Sequence, residues 1–139
     1  MAEARLARDD LALVDRLWRD WSPTYTPAPE TLANIKAGLR ERLGPALAYY
    51  RALTSPAVQR EARAASGVVR VPAIHLHGEL DGCIGIECTD GAEAHYARGY
   101  ALHRVADAGH FLVHERPDEV SARLLAFFGP GADADAPRR

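Results

Sequence analysis

Only two stretches of this chain have the character of β-strands, Ala73–His77 and Tyr100–Val105, and that small number constrains the fold more than anything else in the sequence. Between them lie a glycine-rich loop, GCIGIECTDG, and a short helix-forming stretch, EAHYARG. Strands joined by a crossover of this kind lie parallel in one sheet. A parallel sheet buries both faces and needs more neighbours than two strands supply. The sequence therefore predicts an α/β fold with an incomplete sheet, the end of a larger domain, with Ala73–His77 buried on both faces.

Almost everything before Val68 reads as helix, apart from a loop through Pro27 and Pro29. Leu11, Val14, Leu17, Trp18 and Trp21 recur at helical spacing with charged residues between them, predicting an amphipathic helix from about Asp9 to Trp21 that Ser22-Pro23 stops. A second helix starts near Pro29-Glu30 and carries Leu32, Ile35, Leu39 and Leu43 on one face. Gly44-Pro45 breaks it, Pro45 opens a third helix through Leu53, and Ser55-Pro56 opens a fourth that ends at Gly67. After the second strand comes a loop from Ala106 to Val113. A last amphipathic helix, Pro117 to Phe128, follows with Val120, Leu124, Leu125 and Phe128 expected inward. The organisation read from sequence is a helical portion, 1–67, an α/β portion, 68–129, and a polar tail, 130–139.

Composition excludes several function classes. Seventeen Lys and Arg against nineteen Asp and Glu leave a net charge of -2, so there is no basic excess to hold a phosphate backbone and no nucleic-acid partner is expected. No apolar run approaches the roughly 18 residues of a membrane span, and charges interrupt every apolar stretch of the N-terminal region. Cys83 and Cys88 alone build no disulfide framework. The expectation is a cytoplasmic chain without a membrane association.

Two loops follow the two strands, and each offers a residue type that catalysis uses. His77-Gly78-Glu79-Leu80-Asp81 leaves the carboxyl end of the first strand, and Ala108-Gly109-His110-Phe111 leaves the end of the second. Active sites of open α/β sheets form beyond the carboxyl ends of the strands. Adjacent parallel strands would bring Asp81 and His110 together across the 29 positions between them. An Asp that accepts the Nδ1–H of a His fixes its tautomer and stabilises the imidazolium formed during general base catalysis.

Other residues have plainer readings. His75 and His77 share one face of the first strand, and with His110 and His114 they suggest a metal cluster, but the ligand spacing of zinc motifs is missing. Wall and core packing is the better reading for them, and His95 and His103 read as surface or half-buried. Cys83 and Cys88 read as ordinary thiols. Trp18, Trp21, Tyr25 and Tyr50 could line a pocket or pack between helices. Glu115-Arg116-Pro117 reads as a structural turn into the last helix.

VPAIHLHGELDG followed by AGHFLVHERPDEVSARLLAFFG resembles the C-terminal third of the α/β-hydrolase superfamily, over roughly Val71 to Gly129. The resemblance combines VP before the strand, HGxxD after it, GH after the next strand, and ERPxEV opening the final helix. It implies that Asp81 is the acid and His110 the base of a nucleophile–His–Asp triad that hydrolyses a small apolar ester or epoxide, without a metal or organic cofactor. The order, acid before base, is the one α/β-hydrolases use. The helical first half is similar to the end of the cap that these enzymes insert before the last strands. Its Tyr49-Tyr50-Arg51 is similar to an epoxide-hydrolase cap segment in which the tyrosine before Arg donates a hydrogen bond to the epoxide oxygen, which implies a substrate-binding role for Tyr50.

The chain departs from that family pattern in one respect. Its serines are Ser22, Ser55, Ser66 and Ser121, and none sits in a G-x-S-x-G turn; no equivalent turn with Asp replaces it, and the oxyanion-hole HG motif is missing. By the resemblance, Met1 falls inside the cap region. The expectation is a truncated hydrolase whose isolated chain has little or no activity. The alternatives are a non-catalytic remnant, a piece that pairs with a separately encoded N-terminal half or with itself through the open sheet edge, or a small binding module.

Overall fold

A computed structural model describes residues 2–129, so the 130–139 tail lies outside the described residues. Helices α1 (Ala2–Leu6), α2 (Ala12–Trp21), α3 (Pro29–Glu41), α4 (Leu43–Leu53) and α5 (Pro56–Ala65) precede strands β1 (Ala73–Gly78) and β2 (Tyr100–Val105). The short helix α6 (Leu112–Glu115) and the longer α7 (Pro117–Phe128) close the order. The chain is thus a mixed helix-and-sheet protein with two parallel strands. No helix among the described residues is long and apolar enough to cross a membrane.

Two compact units are present, one of residues up to Arg19 together with Thr26–Gly67, the other of Asp20–Tyr25 together with the residues from Val68 onward. The second division falls at Gly67, where the sequence changes character. The 20–25 segment, however, groups with the strands and not with the helices around it, because its hydrogen bonds run to the loops after β1 and β2.

In the helical unit, Leu11, Val14 and Trp18 are buried. The first long helix starts at Ala12, later than its periodicity suggests, because Asp9, Asp10 and Leu11 all adopt the left-handed region (φ 50°, 57° and 58°). Such residues cost on the order of 1 kcal/mol each. Asp10 is held by Arg40, and Asp15 by Lys36. The break between α3 and α4 sits at Arg42, so Gly44-Pro45 lies inside the first turn of α4. That position tolerates Pro because its missing N–H would have had no helical acceptor, and Gly44 has no Cβ to clash with the ring. None of α3, α4 and α5 has a buried residue.

In the second unit, β1 and β2 run parallel, with Ala73 opposite Tyr100 and Gly78 opposite Val105. This register ends both strands at the same level, so the loops after them leave side by side. Val105, Ala108, Leu112 and Val120 form the core, with Leu76 packed against it. Of the apolar residues expected inward on α7, only Val120 is buried; Leu124 is at the margin of exposure, and Leu125 and Phe128 are 74% and 76% exposed. Nor is β1 buried on both faces: its first four residues are half-buried and only His77 and Gly78 are buried. Both corrections have one cause, since two strands offer too little surface to cover a helix or a strand face. EAHYARG forms a single 3-10 turn, Ala92–His95, after which Tyr96 bridges to Val69. The Ala106–Val113 loop likewise gives way early, to α6 at Leu112.

The two loops approach so closely that Gly78 has no room for a side chain. A Cβ there would run into the carbonyls of Ala108 and Gly109. Gly78→Ala is therefore expected to lower stability by about 1–3 kcal/mol in urea denaturation, the usual cost of forced overpacking. Leu125→Ser, at an exposed position, should shift it by less than about 0.5 kcal/mol.

Candidate active site

Asp81 sits in the turn that leaves β1, and His110 in the loop that leaves β2. The turn is closed by Asp81 N–H donating to the Gly78 carbonyl at 3.2 Å, while Leu80 N–H donates to the Ala108 carbonyl at 2.9 Å. These bonds tie one loop to the other. They place His110 Nδ1 3.0 Å from Asp81 Oδ2. The expected meeting of these two side chains is what the geometry contains.

The Asp81 carboxylate is fully engaged. Oδ1 accepts the N–H groups of Cys83 and Ile84 at 2.8 and 2.9 Å, and Oδ2 accepts from His110. Its side chain is 8% exposed. Burial by itself pushes its pKa up; the Ile84 N–H, the His110 ring and the Cys83 N–H together outweigh burial and hold the carboxyl below its ordinary 3.8. An ionised carboxylate only accepts, so His110 must present Nδ1–H to it. In a neutral ring the lone pair then sits on Nε2, on a side chain 28% exposed. This is the tautomer a general base requires. The Trp21 ring stands edge-on to the imidazole, with centroids 5.0 Å apart, and Phe111 flanks it at 5.3 Å.

Beside this pair runs a histidine chain. The Ile84 carbonyl can only accept, so His77 donates Nε2–H to it at 2.9 Å. His77 Nδ1 lies 3.3 Å from His75 Nε2, and His75 Nδ1 lies 2.6 Å from the Tyr100 hydroxyl, so the contacts continue along the strand to β2. Through His77, the chain helps to hold the loop that carries Asp81. Burial, and then the neighbouring His77, pull the His75 pKa below 6.5. Among the described residues no group of three or more His, Cys, Asp and Glu is placed to hold a metal ion. Cys83 and Cys88 are exposed free thiols, and partial burial and the Asp81 charge push the Cys83 pKa up.

Tyr50 belongs to the helical unit, on α4, where it is 60% exposed and meets Tyr49 edge-on at 5.5 Å. Three residues given no site role on sequence grounds prove central to the loops. The Trp21 carbonyl accepts from both Gly82 N–H (3.1 Å) and His110 N–H (3.0 Å). Ser22 Oγ donates to Glu115 Oε1 at 2.8 Å and accepts Phe111 N–H at 3.0 Å. Glu115 in turn accepts Gly109 N–H with both oxygens, at 3.0 and 2.9 Å. The sequence signal for these roles is weak, since a Trp-Ser-Pro helix stop and a Glu before Pro occur for purely local reasons.

The chain matches no protein-family model, no curated protein and no solved structure.

The lowered pKa values of His75 and Asp81 make stability depend on pH. A folded-state pKa below the unfolded one means that the unfolded chain binds protons more readily, so stability is complete above the unfolded value and falls as pH drops. Thermal unfolding should therefore show one loss beginning near pH 6.5, smaller in His75→Gln, and a second beginning near pH 3.8, smaller in Asp81→Asn, where the lowered Asp10 and Glu3 carboxyls remain. An acid limb in Asp81→Asn identical to that of the unaltered chain would contradict the carboxylate geometry.

Proposed function

We propose that this chain carries the acid–base half of an α/β-hydrolase: His110 is the general base, Asp81 orients it, and the reaction is hydrolysis of a small apolar ester or epoxide. The single observation that carries the reading is the Asp81 Oδ2–His110 Nδ1 hydrogen bond at the carboxyl ends of two parallel strands. The family resemblance of the surrounding residues adds to it. In the complete reaction a nucleophile attacks the carbonyl or ring carbon. His110 Nε2 takes a proton from a serine nucleophile or from the attacking water, and Asp81 stabilises the imidazolium that results. Tyr50 would donate to an epoxide oxygen, as the cap resemblance implies.

The nucleophile and oxyanion hole have to come from elsewhere. Ser22 is a poor candidate, since it is fully buried and its hydroxyl is committed to Glu115. The reading is therefore of a truncated hydrolase, acting with further chain on its N-terminal side or with a separately encoded N-terminal half. Exposed free thiols at Cys83 and Cys88 fit a reducing compartment, and the cytoplasm is the proposed location.

The test is to translate the DNA upstream of the Met1 codon in all three frames and to express any segment that joins this chain. A strand-to-helix turn bearing Ser or Asp is expected there. In the joined protein, Asp81→Asn should lower kcat by about ten-thousandfold, and His110→Ala by more. The isolated chain should turn over p-nitrophenyl acetate no faster than its His110→Ala variant. Activity in the joined protein that survives His110→Ala would sink the proposal.

A second reading, a non-catalytic remnant or interaction module of the same fold, draws on the half-buried face of β1 and the exposed Leu125 and Phe128 of α7. An incomplete sheet of this kind should associate, with itself or with the missing half. Sedimentation combined with denaturation decides: a monomer with one cooperative unfolding transition would count against any incomplete-domain account.

A further inference from the structure

We infer that Ser22 and Glu115 are positioning residues that hold the backbone on both sides of His110, and so keep the imidazole in line with Asp81. The inference rests on the reading of His110 as a base and extends it to two residues in separate segments of the chain.

A loop leaving a strand has backbone N–H groups that no regular structure satisfies. Around His110 three consecutive ones are taken up from outside the loop. Gly109 N–H goes to both oxygens of Glu115, His110 N–H to the Trp21 carbonyl, and Phe111 N–H to Ser22 Oγ. Ser22 passes its own proton on to Glu115, so the hydroxyl and the carboxylate support one another. Hydrogen bonds to an ionised acceptor are about twice as strong as neutral ones. Ser22 is 0% exposed, and Gly109 lies so close that a Cβ on it would stand 2.6 Å from Ser22 Cα.

The placement of these bonds separates positioning from simple stabilisation. They end on Gly109 and Phe111, the immediate neighbours of the base. The bond between them ends on the Trp21 carbonyl, which also holds Gly82, the neighbour of the acid. Rotation of either flanking peptide plane would carry His110 Nδ1 away from Asp81 Oδ2. Misplacement of a reacting group by about 1 Å can cost a hundredfold in rate.

The readout is the His110 Nδ1–H proton of the full chain, followed by NMR as a hydrogen-bonded imidazole signal and by its exchange with solvent. Ser22→Ala and Glu115→Ala should each speed its exchange by about tenfold to hundredfold, the range expected for losing a hydrogen bond to a charged group. Glu115→Gln keeps an acceptor for Gly109 N–H and should stay within about tenfold of the unaltered chain. If both alanine variants fold and leave the Nδ1–H signal and its exchange unchanged, the two residues are merely structural and the inference is overturned. Should the alanine variants not fold, amide exchange in the unaltered chain decides. Protection of Gly109 and Phe111 N–H that rises and falls with His110 Nδ1–H supports the clamp, and unprotected exchange at either overturns it. Asp81→Asn is the control: if the Nδ1–H signal does not respond to it, the acid–base pair itself fails, a result distinct from failure of the clamp.

Discussion

One carbonyl oxygen, that of Trp21, sets the relation between the two loops that matter. It accepts N–H groups from Gly82 and from His110, and so joins the turn after β1 to the loop after β2 through a third segment distant from both in sequence. The glycines show how close the three come. Side-chain carbon on Gly78, Gly82 or Gly109 would collide with backbone of the neighbouring loop or of residues 20–22. Where backbone meets backbone at such range, buried N–H and C=O groups must be paired, and here they are. The Asp81–His110 pair is the consequence, a charged hydrogen bond aligned by a scaffold of neutral ones.

The carboxylates differ in what they are used for. Asp81 spends one oxygen on its own turn and the other on the imidazole, so the same group shapes the loop and orients the base. Glu115 spends both of its oxygens on the backbone beside the base. The histidines differ in the same way: His77 and His75 are struts bounded by the Tyr100 hydroxyl and the Ile84 carbonyl, whereas His110 is bonded to Asp81 through Nδ1 on a partly exposed side chain. These three histidines thus have separate tasks because their hydrogen-bond partners differ.

Hydrophobic surface in the second unit is unevenly covered. Val105, Ala108, Leu112 and Val120 form a small core directly beneath the paired loops, so packing is best where the candidate site needs rigidity. Away from it, α7 exposes Leu125 and Phe128, each a side chain whose burial is worth about 1.5–3 kcal/mol. Apolar periodicity in α7 predicted an inward face, yet of that face only Val120 is buried. What periodicity could not report is whether there is anything for it to lie against, since that depends on how many strands the sheet contains.

Local sequence determined the elements and their order: apolar spacing at three and four residues for α2, Pro at the first turn of α3, α5 and α7, and short apolar runs for β1 and β2. The meeting of Asp81 and His110 was expected from the sequence because a strand–crossover–strand order favours parallel neighbours whose carboxyl ends lie together. Left to the tertiary structure were the left-handed turn at Asp9–Leu11, the shift of residues 20–25 to the strand unit, and the capture of three N–H groups around His110 by Trp21, Ser22 and Glu115. Those features depend on hydrogen bonds between segments up to 93 positions apart, and no local pattern specifies a partner at that distance.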